Sequence, residues 1–413
     1  MKTLYFIQKT MYNKENYSLQ GGYPVKTVRF GVVGIGNIGS MHTRNLYEGK
    51  IPRATLGAVC DCDETVLART VNTYKIPGYL DYHELFASGT IDAVIIAVPH
   101  MLHPTIAIDA MRAGLHVLTE KPAGVLASEV RRMNEEADRH STVFGIMFNQ
   151  RTNRLFTRAR EIVLAGGIGK RKRLTWIITN WYRTQSYYDS GSWRATWRGE
   201  GGGVLMNQAP HNLDIAQWIF GMPKTVRAVC REGLYHHITV EDYASIYGEY
   251  EDGASMQFIT TTGEFPGTNR LEIVGDRGKL VLEEGKLKYW RLLASEEEVR
   301  FSSDVGMASI PYEYEELADT RESAHCGIIE NVTNAILDGT PLLADGREGL
   351  NQITLTNAAY LSAWTGAPVT LPLDERLFDQ IHQEKRNSEE EKPSSGSEKK
   401  SEEHLPRWQV NWT

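Results

Sequence analysis

The chain has 413 residues, 41% hydrophobic and 23% charged, an ordinary globular usage that supports two or three folded domains of roughly 150 residues each. A formal net charge of -7 supplies no positive field for a phosphate backbone, which argues against nucleic acid as a partner. No apolar run approaches the roughly 20 residues of a membrane span, and the N-terminus lacks the apolar core of a secretory signal, so the expected setting is the cytoplasm with no membrane partner.

Residues 1–26 read as a polar, irregular arm, with Gly21, Gly22 and Pro24 breaking any periodicity. From Thr27 short apolar runs alternate with helical patterns: Val28 to Val33, Ala54 to Cys60, Ile91 to Val98, Leu115 to Leu118 and Val143 to Met147. Runs of that kind are buried parallel strands of βαβ units, which predicts an α/β Rossmann domain, a doubly wound parallel sheet, over residues 27–148. The texture then changes to runs separated by hairpin-type turns: Arg173 to Trp181, Thr225 to Cys230, Tyr243 to Tyr250, Ala254 to Thr262, Arg270 to Val274 and Lys279 to Leu282. Helical stretches follow near Arg321 to Leu337 and Gly346 to Thr365. The expectation for residues 149–375 is an α+β domain with a large open, mainly antiparallel sheet, its helices on one face and able to pack back on the Rossmann domain. Residues 376–413 read as a charged linker and a tail carrying Trp408 and Trp412, either loose or docked on a neighbouring subunit. The four cysteines, Cys60, Cys62, Cys230 and Cys326, form no C-x-x-C pair and read as reduced thiols, with no metal site expected.

Directly after the first apolar run stands Gly34-Ile35-Gly36-Asn37-Ile38-Gly39, with a helical pattern beginning around Asn37. The spacing suits a tight turn at Gly34, backbone approach to a pyrophosphate at Gly36 and helix-to-strand packing at Gly39, with the helix N-terminus facing the phosphates. Asp61 closes the next run, where a carboxylate can accept hydrogen bonds from an adenine ribose and repel a 2′-phosphate; Cys62 follows rather than an arginine, so NAD is expected rather than NADP. Pro99, His100 and His103 lie in the loop after Ile91 to Val98, at the ligand edge of such a sheet, and are expected to touch the cofactor.

Thr119-Glu120-Lys121-Pro122 ends the next run at the same edge. A lysine there can stabilise a developing alkoxide and help to hold the nicotinamide ribose; Glu120 is expected as a local ion pair or backbone anchor beside the cofactor. Taken together, the glycine turn, Glu120-Lys121-Pro122 and the block Gly201-Gly202-Gly203-Val204-Leu205-Met206-Asn207-Gln208-Ala209-Pro210-His211-Asn212-Leu213-Asp214 resemble the Gfo/Idh/MocA oxidoreductase family over about residues 27 to 375. That block is similar to the family pattern G-G-G-x-L-x-D-x-G-x-H-x-x-D, from which Asn207 and Ala209 depart.

The resemblance implies that Lys121 and His211 are catalytic and that Asp214 matches the closing aspartate. An amide at Asn207 can hydrogen-bond a sugar hydroxyl but cannot take its proton, which leaves the base role to His211. Asp214, three residues on, is placed to orient that ring. Substrate contacts are expected from Lys121, Asn149, Arg151, Tyr182, Trp193, Asn207 and His211; the segment Phe148-Asn149-Gln150-Arg151 resembles one that enters the family's cleft. Tyr182 and Trp193 belong to the densest aromatic stretch of the chain, suited to a pyranose face, an aromatic aglycone or packing.

The function implied is an NAD-dependent dehydrogenase of a sugar or glycoside hydroxyl. Chains with Asn-Gln-x-Pro-His in this block resemble members that oxidise glucosides at C3, including C-glucosides of plant aromatics, to a 3-keto product that a downstream deglycosylating enzyme could process. Two alternatives stand beside it, a redox-assisted glycosidase that retains its NAD and a non-catalytic NAD or sugar sensor. The resemblance also implies a homo-oligomer, dimer or tetramer, formed through the open sheet face.

Overall fold

A computed structural model describes residues 17–20, 23–191, 193–319, 321 and 324–390. The first 16 residues of the expected arm, most of the expected linker and the Trp408 and Trp412 tail lie outside the described residues. Where the arm reads as irregular, β1 (Tyr17–Gln20) and β2 (Tyr23–Lys26) pair antiparallel as a two-stranded ribbon.

The apolar runs of the first half become one six-stranded parallel sheet: β3 (Val28–Val33), β4 (Ala54–Cys60), β5 (Gly78–Tyr79), β6 (Ala93–Ile96), β7 (His116–Thr119) and β8 (Phe144–Ile146). Their spatial order is β5-β4-β3-β6-β7-β8. The chain winds one way from β3 to β5 and the other way from β6 to β8, so a crevice opens between the carboxyl ends of β3 and β6, where ligands bind in such sheets. Val32, Ile95 and Val117 are wholly buried, as strands covered on both faces require. The helices Asn37–Tyr47 and His103–Arg112 pack on this sheet, and so does His325–Asp338 from the far end of the chain.

The second sheet has nine strands: β9 (Arg171–Ile178), β10 (Thr225–Glu232), β11 (Glu241–Glu249), β12 (Ser255–Thr261), β13 (Asn269–Gly275), β14 (Gly278–Glu283), β15 (Lys286–Leu292), β16 (Tyr312–Ala318) and β17 (Val369–Thr370), in the order β16-β15-β14-β13-β9-β12-β11-β10-β17. Among the described residues only β9 and β12 pair parallel here; the other neighbours in this sheet run antiparallel. Side chains alternate by two: on β13 Leu271 and Ile273 are buried, while Arg270 and Glu272 join an ion-pair ladder with Arg173, Lys279 and Glu283 on the other face. The edge strand β16 is exposed nearly throughout, which explains why hydrophobicity alone does not reveal it.

The two sheets are fastened together by the C-terminal helices. Asn357 on the helix Gly349–Thr365 accepts from the Ala127 N–H at 2.9 Å and donates to the Val125 carbonyl at 3.0 Å. Arg53, just before β4, pairs with Asp338. One boundary is corrected: the stretch from 376 expected as linker is first a helix, Glu375–Ser388, capped by Asp374. Its Phe378 and His382 are buried in an aromatic stack with Trp364 and Trp197, an apolar stripe that repays the ordering of an otherwise charged segment.

Candidate active site

A cavity of about 630 Å³ runs along the crevice from the glycine turn to the second sheet's domain. At the turn, Gly34 holds φ +87°, and a Cβ there would lie 2.5 Å from the Ala97 carbonyl oxygen; one on Gly39 would lie 1.8 Å from the Gly34 oxygen. Gly36 differs, since a Cβ on it would meet no protein atom within 4 Å. The free space therefore lies at Gly36, which caps the helix Asn37–Tyr47 and lines the cavity with Asn37 and Ile38. Positive helix-end dipoles facing an open cradle fit a pyrophosphate. Asp61 also lines the cavity; its Oδ2 accepts from the Ile35 N–H at 2.6 Å and its Oδ1 from the Asp63 N–H at 2.9 Å, which orients the carboxylate for a ribose diol.

Pro99, His100 and His103 line the next stretch. His100 places Nδ1 3.1 Å from the Glu200 carbonyl. His103 has Nδ1 facing the Pro122 carbonyl and Nε2 the Val98 carbonyl, both at 2.8 Å. The ring therefore braces two loops at the cavity wall, its one N–H shared between these carbonyls. Glu120 is buried, 2.8 Å from His42 Nε2, and accepts from the Lys121 N–H at 3.2 Å. Burial alone would raise its carboxyl, but His42, His325 and Lys121 hold it below the ordinary carboxylate range.

Lys121 follows β7 and Glu120, is joined to Pro122 by a cis bond and lines the cavity. Its Nζ donates to the main-chain carbonyl of Asn207 at 2.9 Å. Burial pushes the ammonium below its usual range, with Glu120 and Glu200 opposing that trend. His211 sits in the first turn of the helix Pro210–Phe220, where Pro210 lacks only an N–H that the helix would leave unused. Burial, then the charge of Lys121 and the His325 ring, drive its imidazole well below the ordinary value of 6.5, so it is neutral at neutral pH. The buried Nδ1 of His211 has no hydrogen-bond partner among the described residues. A fixed ammonium and a neutral imidazole on one cavity can respectively stabilise an oxyanion and accept a proton.

Asn149 lines the same cavity, its Nδ2 3.5 Å from His325 Nδ1 and its buried Oδ1 without a partner among the described residues. Trp193 lines it too, edge-on to His100, while Asn207 donates its side-chain amide to Glu200. Two expected substrate contacts are not there. Arg151 is 1% exposed and donates to both oxygens of Asp214, at 2.9 and 2.7 Å, and to Glu348. Asp214, expected to orient His211, instead accepts from Arg151 and Gln217, because a buried guanidinium demands a carboxylate partner. Tyr182 is 46% exposed and packs on Phe265; in this extended stretch Trp181 and Arg183 face the cavity and the residue between them faces away.

The sequence reading did not single out four groups around the site. His42 and His325 flank Glu120 with rings 5.8 Å apart, and nothing local to either residue marks it. Glu200 stands directly before the triple glycine, which was the available signal. Glu241 accepts from the Gly203 and Leu205 N–H groups at 2.9 Å and from the Tyr360 hydroxyl at 2.8 Å, and so holds that turn; burial pushes its carboxyl up to about 8.

Residues 28–148 match the family model for an oxidoreductase-family NAD-binding Rossmann fold, and residues 160–371 match that for the C-terminal alpha/beta domain of the same family. The chain belongs to the Gfo/Idh/MocA oxidoreductase family. Its cofactor is NAD. Among curated members, the myo-inositol 2-dehydrogenase of Thermotoga maritima is 26% identical over 346 residues, 81% of this chain and 96% of that protein. The Bordetella pertussis WlbA dehydrogenase, solved with NADH and UDP-GlcNAcA, superposes with a TM-score of 0.70 at 27% identity, covering 84% of this chain and all (100%) of its own. Levoglucosan dehydrogenase, solved with NADH and levoglucosan, shares the fold at a TM-score of 0.71 and 18% identity, over 84% of this chain and 100% of that one. No helix among the described residues is long and apolar enough to cross a membrane.

Proposed function

We propose that the chain is an NAD-dependent dehydrogenase of a secondary hydroxyl on a sugar or polyol, with C3 of a glucoside as its substrate position. The observation that carries this reading is that Lys121 and His211 line the cavity whose other end is the glycine cradle at Gly36. The inositol and levoglucosan dehydrogenases among its relatives support a polyhydroxylated substrate.

In this reading the bound nicotinamide supplies the hydride acceptor. NAD held along the Gly36 cradle and Asp61 would take the carbon-bound hydrogen as hydride, while the His211 imidazole takes the hydroxyl proton as the C=O bond forms. The Lys121 ammonium donates to the developing alkoxide, and the Asn207 carbonyl fixes its direction. Asn149 offers an unpartnered oxygen to a neighbouring hydroxyl. Trp181, Tyr187 and Trp193 present flat rings along the same cavity, which suits a pyranose face or an aromatic aglycone and supports a glycoside over a free polyol.

The test mixes protein and NAD with free sugars, polyols, O-glucosides and C-glucosides, following NADH fluorescence and product chromatography. The expected result is NADH together with a 3-keto glucoside. Aglycone release without net NADH would replace the dehydrogenase by a redox-assisted glycosidase, and silence across the panel in both reaction directions would overturn the reading.

A further inference from the structure

Asn207 stands where the family pattern carries an aspartate, so the site should lack a carboxylate beside Lys121. It does not. Glu200, seven positions earlier and 1% exposed, brings its carboxylate against that asparagine: Oε1 accepts from Asn207 Nδ2, Oε2 accepts from the Ala195 N–H at 2.7 Å, and Arg194 lies 3.6 Å away. The main-chain carbonyl of the same residue, Glu200, receives His100. Asn207 is thereby held from both ends, its side chain by Glu200 and its carbonyl oxygen by the Lys121 ammonium.

Resting on the proposed dehydrogenase reading, we propose that Glu200 is a positioning residue: it acts through Asn207 to fix Lys121 and supplies, from outside the motif, the negative charge that the asparagine removed. Two carboxylates bear on Lys121, and the other, Glu120, is already paired with His42. The cations Arg183 and Arg194 and the imidazoles of His100, His103, His211 and His325 also surround it, each disfavouring a further positive charge or leaving it unchanged when neutral. An ammonium buried among such neighbours stays charged only with anionic support. Glu200 does not line the cavity, so its effect on the reaction passes through the amide of Asn207.

The test exchanges the pair. E200Q removes the charge, and E200Q/N207D moves the carboxylate across the same hydrogen bond, so that position 200 becomes the donor and position 207 the acceptor. Lys121 is titrated directly, from the pH dependence of its labelling by an amine-reactive reagent read by peptide mass spectrometry, in parallel with kcat against pH. E200Q is expected to lower the Lys121 titration by about one pH unit or more and kcat at least about tenfold, with NAD affinity unchanged. The double variant is expected to return both towards wild type, and it restores the buried hydrogen bond should E200Q fold poorly. A Lys121 titration that E200Q leaves in place, or that the exchange fails to restore, overturns the proposal. Because the labelling needs no turnover, it reports on Glu200 even if no sugar is oxidised and the dehydrogenase reading falls.

Discussion

Arg151 and Asp214 form a two-pronged ion pair, 2.9 and 2.7 Å, in which neither side chain exceeds 1% exposure. The pair ties the segment after β8 to the helix that carries His211, so it positions His211 from outside the cavity. Removing Asp214 takes the two-pronged partner from a buried guanidinium and leaves it Glu348, which is partly exposed. Asp214→Ala is expected to cost roughly 3–5 kcal/mol of unfolding free energy in urea. A loss below about 1 kcal/mol would show that the pair is not a structural clamp.

The base role proposed for His211 makes the acid limb of the oxidation rate informative. His211 must be neutral to accept a proton, and its burial moves its titration below the ordinary 6.5, so kcat/KM is expected to stay level as pH falls through 6.5 and to decline only below it. Lys121→Met removes a positive neighbour that helps to lower that titration, so the limb is expected to move to higher pH, with kcat reduced about a hundredfold or more. A limb unmoved by that change would exclude the coupling.

The glycine turn separates packing from binding. Gly36→Ala meets no protein atom within 4 Å, so stability is expected to change by less than about 0.5 kcal/mol while NAD affinity, read by titration calorimetry, falls at least about tenfold. Gly39→Ala drives a Cβ onto the Gly34 oxygen and is expected to lose about 1–3 kcal/mol of stability. Equal thermal shifts in the two variants would contradict this division.

The C-terminal helix ends in a carboxylate that reaches the substrate side. Glu389 accepts from the Trp197 and Arg198 N–H groups at 2.9 Å and from the Thr239 hydroxyl, anchoring the loop that carries Trp193 and Glu200. Glu389→Ala leaves buried donors unsatisfied, at about 1–3 kcal/mol, and is expected to raise the KM for the sugar while NAD affinity is unchanged. A change in NAD affinity instead would place the effect at the other end of the cleft.

Much of this molecule is local in origin. Val28 to Val33 and its sister runs are apolar on nearly every residue because both sheet faces are covered, and Gly34, Gly36 and Gly39 are legible because each answers a separate steric demand within six positions. Lys121 and His211 stood out for a different reason: they sit in a proline turn and a glycine block that resemble motifs of the family.

What no linear pattern could supply is which charge meets which. Arg151 reads as a ligand group until Asp214 and Glu348, 63 and 197 residues distant, enclose it. Asn207 reads as a lost carboxylate until the turn of Gly201, Gly202 and Gly203 returns Glu200 to its side. The sequence by itself determined most strands of the two sheets and the dinucleotide turn, since these follow from periodicity and from steric rules between near neighbours, while Lys121 and His211 were singled out by family resemblance. Only the tertiary structure decided the partners of the buried charges and the direction of Tyr182, because the cost of burying a charge is met by whichever opposite group the fold brings within hydrogen-bond reach, at any distance along the chain.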